Sequence, residues 1–198
     1  MNPVRKKILE RYEQTDDGRV IIDVASGRVE DLYEDFDRTA PYHRKDLEED
    51  LVYYLTECVR EIGRAEFVIR FTFEQLPTEE LMNRVRTSVH KFFIYQKELE
   101  AGAMKKMLRT SLTLFVIGIA ILGISLWLGH LTIVKGERSF LDTFFLEGIT
   151  IVAWVSMWEG LAMLLINLFP HLNRIGQYIS IAEAKIIFEL QNADPQHA

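Results

Sequence analysis

The chain has 198 residues, 48% of them hydrophobic and 26% charged, with a formal net charge of −6. That acidic balance, with no run of five basic residues anywhere, argues against nucleic acid as a main partner, because phosphate binding needs clustered Lys and Arg. Charge and apolarity are also segregated: His130 and Glu159 are the only ionisable side chains in stretches 111–134 and 148–169. Such a pattern excludes an ordinary soluble globular chain, a disordered chain and a disulfide scaffold.

The residues with metal or redox chemistry are sparse. The single cysteine, Cys58, can form neither an internal disulfide nor a zinc site alone, and it falls on the apolar stripe of an expected helix. His43, His90, His130, His171 and His197 never recur at the three- or four-residue spacing of helical ligands. No metal and no cofactor is expected.

In chain order, Met1 to Lys7 is basic, but Glu10, Glu13, Asp16 and Asp17 follow where a signal peptide would place an apolar run. The first apolar helix is therefore expected to direct insertion itself. Residues 3–14 read as a short helix, Asp17-Gly18 as a turn, and Arg19 to Val24 as a strand closed by Ser26-Gly27. The acidic stretch Val29 to Arg38 lacks the Gly and terminal Glu of a calcium loop and reads as a solvated helical face. From Arg44 to Ile62, Leu47, Leu51, Tyr54, Leu55, Cys58, Val59 and Ile62 trace one buried helical stripe, which Gly63 ends. Phe67, Ile69, Phe71 and Phe73 then alternate onto one face of a strand. Two strands alone are marginal, so pairing with another copy is one expectation, and strand direction stays open. Thr78 is the candidate N-cap of a helix free of Pro through Val134, with Gly102 its one candidate break.

Two spans follow, Ser111 to Val134 and about Phe144 to Phe169, where Pro170 is expected to end the second. Lys91, Lys97, Lys105, Lys106, Arg109, Arg174 and Lys185 flank the hairpin, against Lys135 and Arg138 in the connecting loop. This bias puts both termini in the cytoplasm of an inner membrane. Ser111, Gly118, Ser125 and Thr132 recur every seven residues, a thin face for close helix packing, either within the hairpin or against another subunit.

Glu159 is the most informative residue. A charged side chain at the bilayer centre costs about 2.5–3.5 kcal/mol on insertion scales unless it is neutralised or paired. It shares a wheel face with Gly148, Val152, Val155, Ser156, Met163 and Ile166, whereas Glu147 points elsewhere, near the outer interface. Trp154 and Trp158 lie too deep for interfacial anchors, in a position to buttress the carboxylate inside a bundle. Three readings stay open: a hydrogen-bonded structural group, a cation or proton site repeated around an oligomer, and a contact with a partner protein. The tail, Leu172 to Leu190, reads as an amphipathic helix, returning to the cytoplasmic domain or lying along the membrane.

The fold class expected is a mainly α membrane protein: a two-helix hairpin with a small N-terminal cytoplasmic α+β domain and a long stalk helix running into the first span. The divisions are 1–76 for that domain, 77–110 for the stalk, 111–134 and 144–169 for the spans, 135–143 for the external loop, and 170–198 for the C-terminal helix and tail.

Asp46-Leu47, Asp50-Leu51, Tyr54-Leu55 and Glu61-Ile62, then Glu147-Gly148 and Val152-Ala153-Trp154, carry a resemblance to an uncharacterised family of two-span bacterial and archaeal inner-membrane proteins. The resemblance implies the same plan over most of the chain and no activity. Where that family is expected to have Trp-x-Pro-Leu-Glu, this chain has Trp158-Glu159-Gly160-Leu161. The plan is also similar, more loosely, to the pore subunit of the mitochondrial calcium uniporter, whose site looks like Trp-Asp-x-x-Glu-Pro. Here Val155 stands where that Asp would be, and Glu159 comes one residue late, so only the architecture is shared.

No nucleophile–base arrangement, phosphate loop or metal spacing is visible, so an enzyme is the weakest expectation. His130 and Glu159 sit at different depths and are not expected to act as a pair. The leading expectation is a self-associating, membrane-anchored structural or interaction module. Its partners would be lipid, further copies of the chain and an unidentified protein. The rival is a homo-oligomeric ion channel or transporter with a ring of Glu159 carboxylates.

Overall fold

The computed structural model of the chain describes residues 8–34, 41, 45–135 and 140–191. It is mostly helical, with one small parallel sheet and two long apolar helices. Strands β1 (Val20–Ser26), β2 (Phe67–Phe73) and β3 (Lys185–Leu190) lie in the order β1-β2-β3. The helices are α1 (Glu49–Ile62), α2 (Glu79–Lys135) and α3 (Phe140–Glu183). The chain divides into two compact units, residues 1–98 with 175–198, and residues 99–174.

In the first unit, β-branched and aromatic residues make the strands, and alternation sorts them between two faces. Val20, Ile22, Ile69, Phe71, Phe73 and Ile186 turn inward with Leu55 and Ile62 of α1, Val85, Val89 and Phe93 of α2, and Ile181 of α3. The helices thus share one face of the sheet. Sequential parallel strands joined by crossovers of one hand require this arrangement. Phe188 stacks on Phe71 and Phe73 at centroid distances of 5.9 and 6.3 Å. His90 Nδ1 meets the Ala182 carbonyl at 2.8 Å, tying α2 to the end of α3.

Several expectations are corrected here. Of the helix expected over 3–14, Ile8 and Leu9 are helical and the helix ends there, with Gln14 instead bridging Val20 antiparallel; residues 1–7 lie outside the described residues. The acidic stretch is not a solvated helix: Val29–Leu32 is a single 3-10 turn that buries Val29 and Leu32, and residues 35–38 are outside the described set. Leu47 lies before α1 and bridges Tyr33, so α1 begins at Glu49, and residues 42–44 are not described. Gly63 ends α1 at φ +69°, a backbone setting that favours glycine. The tail is not helical to Leu190, because Lys185-Ile186-Ile187-Phe188-Glu189-Leu190 is a third strand paired parallel to β2. Residues 185–190 therefore belong to the sheet and not to a separate tail, and the marginal two-stranded sheet that called for another copy does not exist.

The helix from Thr78 runs as expected. Thr78 Oγ1 accepts from the Leu81 N–H at 3.4 Å, and α2 continues unbroken through Gly102 for 57 residues. Pro170 does not end the second apolar helix. It lies inside α3, which continues to Glu183, although proline removes one donor from the helical ladder.

Candidate functional site

The second unit, residues 99–174, pairs the C-terminal part of α2 with most of α3. Both helices are long and apolar enough to cross a membrane, and only 11% of the most apolar window of each is buried in the molecule. Leu126, Trp127, Ile151 and Leu165 are among the large apolar side chains left on the outside.

The seam between the helices is built from small residues. Ser111 and Ser125 are buried, and Gly118 faces α3 so closely that an added Cβ would lie 2.9 Å from the Ala153 carbonyl oxygen. Gly160 does the same from the other side, with the Ser111 carbonyl oxygen 2.7 Å and the Phe115 nitrogen 3.1 Å from the position of its missing Cβ. Ser125 and Thr150 hydroxyls share a hydrogen bond of 2.8 Å across the seam, and Thr150 also donates to the Leu146 carbonyl on its own helix. Three of the four heptad residues thus face the hairpin's own second helix. The side chain of Thr132 is outside the described set.

Near the other end, Glu100 Oε1 of α2 accepts from His171 Nδ1 of α3 at 2.7 Å, with Arg174 Nη1 at 3.7 Å. This clasp follows Pro170 directly, where the ladder of α3 lacks a donor. Sequence periodicity did not single it out. The signal was an acid before the hairpin's turn and a histidine after it, which becomes readable only when α3 is known to continue past Pro170.

Glu159 lies on the outside of α3, exposed, and among the described residues no hydrogen bond or ion pair reaches its carboxylate. Ser156 donates instead to the Val152 carbonyl at 2.9 Å. Trp154 and Trp158 are 60% and 71% exposed; on ideal geometry they stand roughly 140° and 100° round the helix from Glu159. Glu147 and His130 are exposed as well. Among the described residues, then, no hydrogen bond within the hairpin joins Glu159 to Ser156, Trp154 or Trp158.

The first unit carries a second polar feature, on the sheet face away from the helices. Arg70 stands opposite Asp23 in the β1–β2 register and bonds its carboxylate, with Glu13 Oε2 at 2.6 Å and Glu189 Oε2 at 3.7 Å. These carboxylates hold the guanidinium charged well above its ordinary value, with Asp23 the leading cause. Beside it a cleft of about 460 Å³ is lined by Tyr12, Asp23, Tyr54, Cys58 and Glu61 among others. Burial, with Cys58 and Glu61 nearby, pushes the Tyr12 phenol up, and burial followed by Cys58 and Asp23 pushes Tyr54 up to about 12. Cys58 is buried, as its place on the helical stripe predicts. No group of three His, Cys, Asp or Glu side chains among the described residues is placed to hold a metal ion.

Comparison with protein-family models, with curated proteins and with solved structures finds no match for this chain. Fold and site together define a class by architecture alone: a three-stranded parallel α/β unit that carries an apolar helical hairpin between its second and third strands.

Proposed function

We propose that the protein is a membrane-anchored module whose hairpin spans an inner membrane and whose α/β unit faces the cytoplasm, self-associating to present that unit to a partner. The observation that carries this reading is the outer surface of the hairpin, two long apolar helices with 11% of each window buried. A core helix of a soluble protein would be mostly buried, whereas a lipid-facing helix is not. Pairing of β3 with β2 brings both ends of the hairpin back to one sheet, which supports placing both on one side of the bilayer. Seven flanking Lys and Arg against two in the loop favour the cytoplasmic side. Self-association is supported by Glu159, since a charged group left in lipid costs about 2.5–3.5 kcal/mol and nothing among the described residues of its own hairpin covers it.

Washing membranes at alkaline pH and then measuring the purified, detergent-solubilised chain by native mass spectrometry tests both parts. The chain is expected to stay with the membrane and to run as an oligomer. Release into the wash overturns the anchor, and a monomer overturns self-association. The second reading, a homo-oligomeric channel or transporter, draws on the same outward Glu159, which a ring of copies could turn toward a shared axis. Four or more subunits, with cation flux abolished by Glu159→Gln, would favour it over the anchor.

A further inference from the structure

We propose that the stripe of α3 bearing Glu159 is the contact surface with a second copy of this chain, related by a two-fold axis along the membrane normal that sets Glu159 of one copy against Glu159 of the other. This deepens the self-association reading and rests on it.

Three observations lead there. First, Glu159 is exposed and, among the described residues of its hairpin, without a hydrogen bond or ion pair, and an intramembrane ionisable group is normally covered by something that answers it. Second, neither span contains a Lys or Arg, so a second copy has no base to offer at that depth. Two copies inserted in the same sense meet residue against residue at equal depth, because the axis relating them runs along the membrane normal. The group that Glu159 then finds is another Glu159. A protonated carboxyl both donates and accepts, so two side chains can close a hydrogen-bonded pair with no third residue. Third, the rest of the stripe permits close approach. Gly148, Val152 and Val155 lie within about 40° of Glu159 on ideal geometry, and open space surrounds the position of a Cβ on Gly148. The bulky Trp154 and Trp158 are turned away from it. The Ser111–Gly118–Ser125 seam is already occupied by α3 of the same chain, so it is not the surface left for a second copy.

The test is disulfide cross-linking in native membranes, using the full chain with the lone native thiol removed by Cys58→Ala. Val152→Cys and Val155→Cys lie on the stripe and leave Glu159 intact, while Trp154→Cys reports the far side. The expected result is a cross-linked dimer at least tenfold more abundant for the stripe variants than for Trp154→Cys. In the Val152→Cys background, Glu159→Gln should keep the cross-link, since an amide pair also donates and accepts, and Glu159→Leu should reduce it several-fold. Native mass spectrometry of the parent chain separates the two ways of failing. A dimer that cross-links only at Trp154→Cys, or that is indifferent to Glu159→Leu, overturns this surface and leaves self-association standing. A monomer overturns both, and a ring of four or more overturns the two-fold pair.

Discussion

At the scale of single residues, glycines decide the hairpin more than large side chains do. Gly118 and Gly160 sit where backbone meets backbone, and a methyl at position 160 would have to displace the Ser111 carbonyl from 2.7 Å. Gly160→Ala is therefore expected to destabilise the hairpin by about 1–3 kcal/mol through overpacking. Gly123→Ala, which meets open space, should be neutral or slightly stabilising, since Ala favours helix over Gly. Thermal unfolding of the two variants in detergent checks the contrast, and equal midpoints would contradict the close approach. The heptad spacing of Ser111, Gly118 and Ser125 made this seam legible in the sequence. Gly160 was not, because one glycine beside a glutamate has no period to stand out from. The titration of Tyr54 belongs to the same scale. Its hydroxyl donates to the Asp23 carbonyl at 3.0 Å, and its folded value lies near 12 against 10 for the free phenol. A group raised on folding contributes stability that is fully present below pH 10 and lost as pH climbs toward 12. Stability of the α/β unit should fall across that window, and less steeply in Tyr54→Phe. A tyrosinate absorbance step for Tyr54 at the ordinary value would refute this.

Secondary-structure elements show where periodicity succeeds and where it misleads. Phe67, Ile69, Phe71 and Phe73 alternate cleanly, and all four belong to the side of β2 that meets the helices. The last strand misled because Ile179, Ile181, Ala182, Ile186 and Ile187 also satisfy a helical spacing when counted as one run. A helix would set Ile186 and Ile187 together on one stripe. The strand sends them to opposite faces, Ile186 buried against the core and Ile187 beside Arg70 in the register. Ile186→Ala should therefore cost about 2–4 kcal/mol in chemical denaturation of the α/β unit, the usual range for a buried Ile, and Ile187→Ala clearly less. Equal losses would restore the helical reading. Pro170 misled for a related reason. Proline is costly within a helix, but it is tolerated where surrounding contacts hold the chain, and here the Glu100–His171 clasp follows it by one residue.

Across the whole molecule, the connectivity carries the functional argument. The hairpin is an insertion between β2 and β3 rather than a C-terminal appendage, so the sheet is complete only when the chain returns from α3. The chain that leaves the sheet after β2 returns to it at β3, so the segment between them is tied to the same sheet at both ends. The completed sheet removes one reason to expect assembly through the soluble part. The carboxyl left uncovered on the hairpin supplies a different one, within the apolar stretch itself.

The sequence by itself determined the two apolar helices, their hairpin connection, the N-cap at Thr78, the amphipathic α1 with its buried Cys58 and the first two strands. Each of these depends on residues close together in the chain, through periods of two or 3.6 and through local capping. Only the tertiary structure decided that β3 completes the sheet, that all strands run parallel and that Arg70 gathers Glu13, Asp23 and Glu189. It likewise decided that Glu159 faces away from its own hairpin. Those features pair residues tens to more than a hundred positions apart, and no local period records which distant segment a strand edge or a carboxylate will meet.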